Sequence, residues 1–200
     1  MDESVAFLPD LASVILHCHQ LSPQTATLDV AKLLLLMFAQ AQGEASTLIC
    51  AFLSEIISTT LKTCGLVVGV SVDGIPVVDV IRFADNTEVL ASFLNLLAQL
   101  IRKNPHLLTG SAYPLTSLFY CGIVGLTRPE SFTLKAAVQF LVHFITHSRD
   151  NSEMVSIVQN QGHLLVPQLL SCIGKFIRKF IHILILIDYF LLADLILISV

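Results

Sequence analysis

The sequence has little charge, no tryptophan and no surplus of positive residues. Charged side chains make up 13% and apolar side chains 54% of the 200 residues, whereas an ordinary soluble domain has roughly a quarter charged residues. The net charge is −4, so the broad basic surface that a nucleic-acid backbone requires is missing, and no nucleic-acid partner is expected. So low a charge content predicts either membrane association or a surface that a partner covers.

Short motifs that carry chemistry are missing as well. The sequence lacks G-x-x-x-x-G-K-[ST], G-x-G-x-x-G, H-E-x-x-H, G-x-S-x-G and C-x-x-C, so phosphate-binding loops, zincin sites and nucleophile elbows have no local support. No catalytic residue, no cofactor and no metal ligand is therefore predicted, and the chain is not expected to be an enzyme.

Two histidine groups deserve a separate test as metal ligands. His17, Cys18 and His19 are adjacent, but neighbours on a helix point in different directions and cannot close on one ion. His143 and His147 share a helical face at i, i+4, yet no third ligand is spaced to join them. Both groups are interpreted as structural or solvated histidines.

The cysteines and the first residues indicate a cytosolic protein. The five cysteines are odd in number and lie mostly in apolar helical runs, where a free thiol behaves as a small hydrophobe, so a reducing compartment is expected. Met1 to Gln20 lacks a basic region followed by a purely apolar one, so no secretory signal is predicted.

Helix signals come in antiparallel pairs separated by short breaks, with starts that recur twice at about 40 residues. This rhythm predicts an all-α fold, an α-solenoid of ARM- or HEAT-type helix pairs, with about four pairs in residues 1–174. The predicted segments are Glu3 to Gln20 and Ser22 to near Gly43; Glu44 to Lys62 and Asp85 to Asn104-Pro105; Ala112 to Leu126 and Thr127 to His147; and a fourth pair from Ser152 to Ile173, bent at Gly162 and Pro167.

Caps and apolar stripes follow from the same patterns. Ser22, Asp85 with Glu88, and Thr127 with Glu130 are predicted to cap helix N-termini. The charged side chains expected on solvated faces are Glu88, Arg102, Lys103, Lys135 and Arg149. The buried stripes are predicted as Leu28, Ala31, Leu35 and Phe38; Leu48, Phe52, Ile56 and Thr59; Leu90, Phe93, Leu94, Leu97 and Ile101; and Leu134, Ala137, Val138, Leu141 and Ile145.

Leu66 to Ala84 interrupts the helical rhythm. It is rich in valine on both sides of Asp73-Gly74-Ile75-Pro76, a pattern that predicts a β-hairpin. Two interpretations remain: a hairpin or loop inserted between two helices (residues 66–84), or a translated segment foreign to the rest of the chain.

The last 26 residues, Lys175 to Val200, have isoleucine and leucine on every face. From Phe180 onward the run is long enough to span a bilayer, but Asp188 and Asp194 offset the favourable insertion of the apolar residues almost completely. Gly174-Lys175-Phe176 is also what results when translation continues from an exon into a splice donor. The tail (175–200) is therefore a transmembrane helix, or else a translated intron or mispredicted terminus, because the amphipathic pattern and the family resemblance given below are both expected to stop at Gly174.

Four runs resemble the importin-β (karyopherin) superfamily, in the importin-thirteen and transportin-three branch. The clearest is N-T-E-V-L-A-S-F-L-N-L-L-A-Q-L-I-R-K-N-P-H-L-L, which is similar to a helix of the form D-S-F-x-x-L-L-A-Q ending in basic residues and K-x-P-x-L. The four runs, in family order, are Pro23 to Phe38, Asn86 to Leu108, Pro129 to Ala137 and Val158 to Gly174.

The resemblance implies a C-terminal fragment of a nuclear transport receptor that shuttles between cytoplasm and nucleus. It implies protein cargo as the partner, Ran GTPase as the regulator, and nucleoporins as a further partner. The main Ran-binding repeats of that family are absent from this chain, and no binding residue carries over, so the partner-binding residues are unknown. The first helix is expected to expose an apolar face that a preceding repeat would cover. The alternative hypothesis is a small membrane-anchored helical scaffold held by its C-terminal segment.

Overall fold

The computed structural model describes residues 6–70, 76–78, 82, 85–109 and 115–197, with side chains from 67 to 78 and beyond 174 left undescribed. In chain order the elements are α1 (Leu8–Leu21), α2 (Thr25–Met37), α3 (Glu44–Thr63), β1 (Leu66–Val70), β2 (Pro76–Val78), α4 (Thr87–Lys103), α5 (His106–Thr109), α6 (Leu115–Gly125), α7 (Ser131–Ser148) and α8 (Ser152–Leu197). The predicted all-α, solenoid-like fold is confirmed.

The helices pack as two sets. In one set α1 lies beside α3; in the other α2 lies beside α4, and α4 packs most extensively against α7. Side-chain hydrogen bonds fix the direction of neighbours. Gln40, just past the end of α2, bonds Asn104 at the end of α4 at 3.0 Å, and Thr133 near the start of α7 donates to the Thr87 carbonyl at the start of α4 at 3.2 Å. Helices α2, α4 and α7 are therefore parallel, as successive helix pairs of a solenoid require.

Helix α4 forms the centre of the core. All five residues of its predicted stripe are buried, together with Val89, Ala91, Leu96, Ala98 and Leu100. Its end at Asn104-Pro105 is also confirmed, because Asn104 is the C-cap residue. Burial on so wide an arc means that α4 is covered on more than one side, by α2 and by α7.

Several helix ends differ from the predicted ones. Helix α2 is capped at Gln24 instead of Ser22 and ends at Met37, six residues before Gly43. Helix α4 has Asn86 instead of Asp85 as its N-cap residue, and the Asn86 side-chain amide donates to the carbonyls of Thr63 and Arg82. The predicted Thr127–Glu130 capping box is also wrong, since the Thr127 hydroxyl donates back to the Val124 carbonyl at 2.7 Å.

The predicted buried stripe of α7 is correct at Ala137 and Leu141, which are buried, and wrong at Val138 and Ile145, while Leu134 is only partly buried. Val138 is 40% and Ile145 37% exposed, whereas Phe140 and Phe144 are fully buried. Phe144 stacks against Phe119 of α6 with ring centroids 4.8 Å apart and meets Phe140 edge-on at 5.9 Å. Both faces of α7 are apolar, and the larger aromatic volume occupies the interior. In α2 and α3, Phe38, Leu48 and Thr59 of the predicted stripes are only partly buried. The buried residues that these stripes missed are Leu34, Ile49, Leu53, Ile57, Thr60 and Leu61.

In the segment between α3 and α4, strands β1 and β2 pair antiparallel, with Leu66 opposite Val78 and an irregularity between Val67 and Val70. Gly65 precedes the hairpin at φ 71°, a left-handed conformation that glycine accepts readily and that ends α3.

The expected fourth helix pair is wrong: residues Ser152–Leu197 form one helix, with Pro167 inside it. Its N-terminus is capped by Asn151, whose side-chain oxygen accepts from the Met154 amide at 3.1 Å. The chain divides into two compact units, the first ending at Gly162 and the second beginning at His163, and α8 contributes to both.

One helix among the described residues, α3, is long and apolar enough to cross a bilayer. Ile49, Phe52, Leu53 and Ile56 on this helix are buried in the protein. The tail proposed to span a membrane, Phe180 to Val200, has no described side chains.

His19 joins three helices through buried hydrogen bonds. Its two ring nitrogens lie 2.9 Å from the hydroxyls of Thr27 on α2 and Thr60 on α3, and the residue is fully buried. The two hydroxyls also lie 2.7 Å from the backbone carbonyls of Gln24 and Ile56, so a neutral imidazole donates to one hydroxyl and accepts from the other only when that second hydroxyl turns its single proton from the carbonyl to the ring. Burial lowers the pKa of His19, because the charged form loses its hydration.

Matched glycine substitutions test the contact between α6 and α7. A Cβ on Gly122 would lie 2.7 Å from the Phe140 ring, whereas a Cβ on Gly162 would have nothing within 4 Å. We expect Gly122→Ala to lower the free energy of unfolding by about 1–3 kcal/mol through overpacking. Gly162→Ala should raise it by up to about 1 kcal/mol through helix propensity. Urea denaturation followed by circular dichroism measures both; equal signs for the two variants would contradict the packing.

The buried histidine predicts a pH dependence of stability. Because the pKa of His19 is lower in the folded than in the unfolded chain, the unfolded state binds more protons as pH falls below about 6.5, and stability is lost there. His19→Gln should reduce the difference in unfolding free energy between about pH 7.5 and pH 5.5. His17→Gln, at an exposed position, should leave that difference unchanged. Identical pH profiles for wild type and His19→Gln would disprove this role.

Candidate protein-binding surfaces

Helices α1 and α2 each carry an exposed apolar stripe opposite their buried residues. On α1 and its N-cap, Phe7, Leu11, Val14 and Leu21 are between 47% and 73% exposed. On α2, Val30, Leu33 and Met37 are between 46% and 75% exposed. The spacing of three and four residues keeps each stripe on one helical face, and we call the two stripes together the first-hairpin face.

The stripe on α1 confirms the exposed apolar face that the sequence predicts for the first helix, whereas the stripe on α2 was not predicted. Scattered exposed apolar residues are ordinary, but aligned ones mark surfaces that bind protein or membrane. The opposite sides of the same helices hold the core residues Leu8, Ala12, Leu28 and Ala31. The helices are thus apolar on two sides, and one of these sides is exposed among the described residues.

A second exposed stripe lies on α7. Val138, Val142 and Ile145 are between 37% and 53% exposed and follow the same four-and-three spacing. In the second compact unit, α8 carries a further stripe of Val166, Leu169, Leu170 and Ile173. Sequence reasoning had assigned Val138 and Ile145 to the core, because periodicity alone does not distinguish a buried apolar face from an exposed one.

Cationic residues collect where α4 and α7 end. Arg102 and Lys103 form the last turn of α4, and His147 lies in the last turn of α7 with His143 one turn earlier. The two histidine rings meet edge-on, with centroids 6.4 Å apart, and His147 Nδ1 lies 2.9 Å from the His143 carbonyl oxygen. We call Arg102, Lys103, His143 and His147 the α4–α7 cationic cluster.

The charges of this cluster act on one another. The pKa of His143 is lowered, first by partial burial and then by the positive charges of Arg102 and His147. Arg102 donates from Nη2 to the side-chain oxygen of Gln99 at 2.8 Å. Among the described residues, no carboxylate lies within ion-pairing distance of any member of the cluster. The cluster is a patch of positive potential on a chain whose net charge is −4.

A shallow groove lies between α1 and α3. It has a volume of about 190 Å³ and is lined mainly by apolar side chains such as Leu16, Leu48 and Phe52, with Glu55 as the charged residue. Small-molecule sites usually enclose about 300 Å³ or more, so the groove does not suit an enzyme substrate.

Thiols in the core are not activated. Burial raises the pKa of Cys64 to about 12, and burial together with the nearby Cys64 raises the pKa of Cys121 well above its ordinary value. A thiol at such a pKa stays protonated and is a poor nucleophile.

The structure separates the members of one of the two histidine groups considered as metal ligands and brings the members of the other together. His19 is buried between hydroxyls, while His17 and Cys18 are exposed, so that trio does not converge on one point. His143 and His147 do lie together. Within the described ranges no three His, Cys, Asp or Glu side chains form a group that could hold a metal ion. The five charged residues predicted on solvated faces, Arg102 among them, are all exposed.

The approach of Arg102 to His143 was missed by the sequence analysis. The two residues are 41 positions apart, and only the parallel packing of α4 and α7 brings them together. The sequence does place basic residues in the last turn of both helices. Each helix end favours such residues by itself, so this pattern did not indicate that the two ends lie together.

Comparisons with known proteins agree with the fold. A family profile described as "Importin 13 repeat" matches residues 126–188. Importin-13 of Gallus gallus is 23% identical over 175 residues, which is 87% of this chain and 16% of the relative. Importin-13 of Homo sapiens has the same identity and coverage. This chain thus spans about a sixth of the length of these relatives.

A solved structure described as "Importin13 cytosolic state" has the same fold. It superposes with a TM-score of 0.72 and 24% identity over 84% of this chain and 18% of that structure. The profile match continues through Gly174 to residue 188, so the expectation that resemblance stops at Gly174 is wrong, and the translated-intron hypothesis loses the observation on which it depended. The chain is thus similar to an importin-13 repeat over residues 126–188 and to importin-13 over most of its length, and it shares the fold of the solved importin-13 structure.

Proposed function

We propose that this chain is a protein-binding segment of a nuclear transport receptor, in which stacked helix pairs hold protein cargo without bond-making chemistry. The observation that supports this best is the parallel stack of α2, α4 and α7, found in a chain that is similar to importin-13. In a solenoid of this kind each helix pair contacts its neighbours, and the exposed helix faces form an extended binding surface. The relatives found are named as importins and not as enzymes.

Residues 1–174 are proposed to form three complete HEAT-like pairs and the first helix of a fourth. Helices α1–α2, α3–α4 and α6–α7 are the first three, with the β1–β2 hairpin inserted in the second. Helix α8 is then the first member of the fourth. In this arrangement the first-hairpin face and the α7 stripe are the surfaces that further helices of a superhelix would cover.

Partners and location follow from the likeness to importin-13. Protein cargo is the proposed ligand, Ran GTPase the proposed regulator, nucleoporins a further partner, and cytoplasm and nucleus the proposed locations. The membrane-anchored scaffold has no support from the family profile, the relatives or the shared fold.

A chimaeric receptor tests this function. We would replace the aligned segment of human importin-13 with this chain and compare nuclear entry of the receptor and the set of proteins that co-purify with it. Near-normal entry and cargo recovery are expected. A matched chimaera carrying Phe140→Asp, which places a charge in the core, should lose both. Loss of cargo by the first chimaera while its fold is intact would reject the proposal.

Substitutions on the first-hairpin face give a second test in the isolated chain. Leu33→Glu with Met37→Glu should change the free energy of unfolding by no more than about 0.5 kcal/mol per site, because both side chains are largely exposed. The same change should reduce dye binding and self-association, since it removes exposed apolar area.

Leu34→Glu is the contrasting variant. Leu34 is 3% exposed, and burying a carboxylate there should cost at least about 3 kcal/mol or unfold α2. Denaturation monitored by circular dichroism, together with light scattering, measures both changes. Equal destabilisation by the exposed and the buried substitutions would mean that the first-hairpin face is covered within this chain.

A further inference from the structure

The α4–α7 cationic cluster joins the basic ends of two helices. A cation in the last turn is favoured by the partial negative charge of the unpaired carbonyls. That effect accounts for Arg102 and Lys103 on α4 and for His147 on α7 separately. It does not account for the parallel packing of α7 against α4, which places His143 and His147 at the same end of the stack as Arg102 and Lys103.

Hydrogen-bonding capacity is also left over in the cluster. A guanidinium has five N–H donors in a planar fork that matches a carboxylate, and Gln99 accepts from Nη2 of Arg102. The nearest acidic residue in sequence, Asp150, is exposed, and its backbone amide donates to the His147 carbonyl at 3.3 Å. Its carboxylate forms no ion pair with the cluster.

We propose that the α4–α7 cationic cluster is a docking site for an acidic segment of a protein partner, with a carboxylate bound between the Arg102 guanidinium and the His143 imidazole. Lys103 and His147 flank the site and accept further acidic side chains. The proposal adds a partner chemistry to the proposed function and rests on it. A protein is favoured over a nucleic acid because the positive potential is local and the chain as a whole is acidic.

Binding at this site is coupled to protonation. In the unbound chain, partial burial and the charges of Arg102 on α4 and His147 on α7 lower the pKa of His143. A bound carboxylate reverses the sign of the local field and favours the imidazolium, so binding takes up a proton. Affinity for an acidic segment should therefore increase as pH falls from about 7.5 to about 6, and should weaken as salt is added.

The experiment is fluorescence anisotropy with the full chain and a labelled hexaglutamate peptide, with hexaglutamine as the uncharged probe. We expect saturable binding of the acidic peptide only. Arg102→Gln should weaken it about tenfold, because a charge-assisted hydrogen bond is lost. Lys62→Gln, which removes an exposed charge from α3, should change it less than about twofold. His143→Gln should bind the peptide but lose the pH dependence.

Three results would overturn the proposal. The first is binding that Arg102→Gln and Lys62→Gln weaken equally, with both variants folded by circular dichroism. The second is affinity that does not increase toward pH 6. The third is tighter, Arg102-dependent binding of a labelled single-stranded oligonucleotide, which would assign the cluster to nucleic acid. If the importin-13 chimaera keeps its cargo while hexaglutamate fails to bind, only this inference falls; loss of cargo by the folded chimaera rejects the proposed function itself.

Discussion

The structure depends on the burial of α4 on more than one side. Ten of its 17 residues are buried, an arc too wide for a single neighbouring helix to cover. Helices α2 and α7 lie against it, and the hydrogen bonds Gln40–Asn104 and Thr133–Thr87 fix both in the same direction. Because these three helices point the same way, the chain must run back between one and the next. It does so through a second set of helices, and this gives the layered stack.

The same constraint explains why exposed surface collects at particular places. A helix in the middle of the stack, such as α4, has neighbours on both sides, whereas α2 and α7 each have α4 on one side. Their remaining apolar stripes, which include Leu33 and Val142, are exposed in this chain. Parallel packing also places the C-terminal ends of α4 and α7 together, which brings Arg102 near His143. Apolar stripes and the cationic cluster thus have one geometric origin.

Polar contacts in the interior define the register of the stack more than its stability. His19 connects α1 to α2 and α3 through two hydroxyls, and the arrangement allows few alternatives, because a buried imidazole must find partners for both nitrogens. Gly122 lets the Phe140 ring approach α6 to a distance that a side chain would prevent. These two residues specify how neighbouring helices are placed along their length, which apolar contacts alone leave loosely determined.

The sequence by itself determined the helices, the apolar stripe of α4 and its end at Asn104-Pro105. These depend on local periodicity and on backbone chemistry, both of which are readable in a few consecutive residues. Only the tertiary structure decided which apolar face of α7 is buried. Val138, Val142 and Ile145 are as apolar as the face that holds Phe140 and Phe144, and the aromatic face is the buried one because it packs against α6. The partners of His19 and the meeting of Arg102 with His143 were likewise decided by packing, since each contact joins residues from helices far apart in the chain.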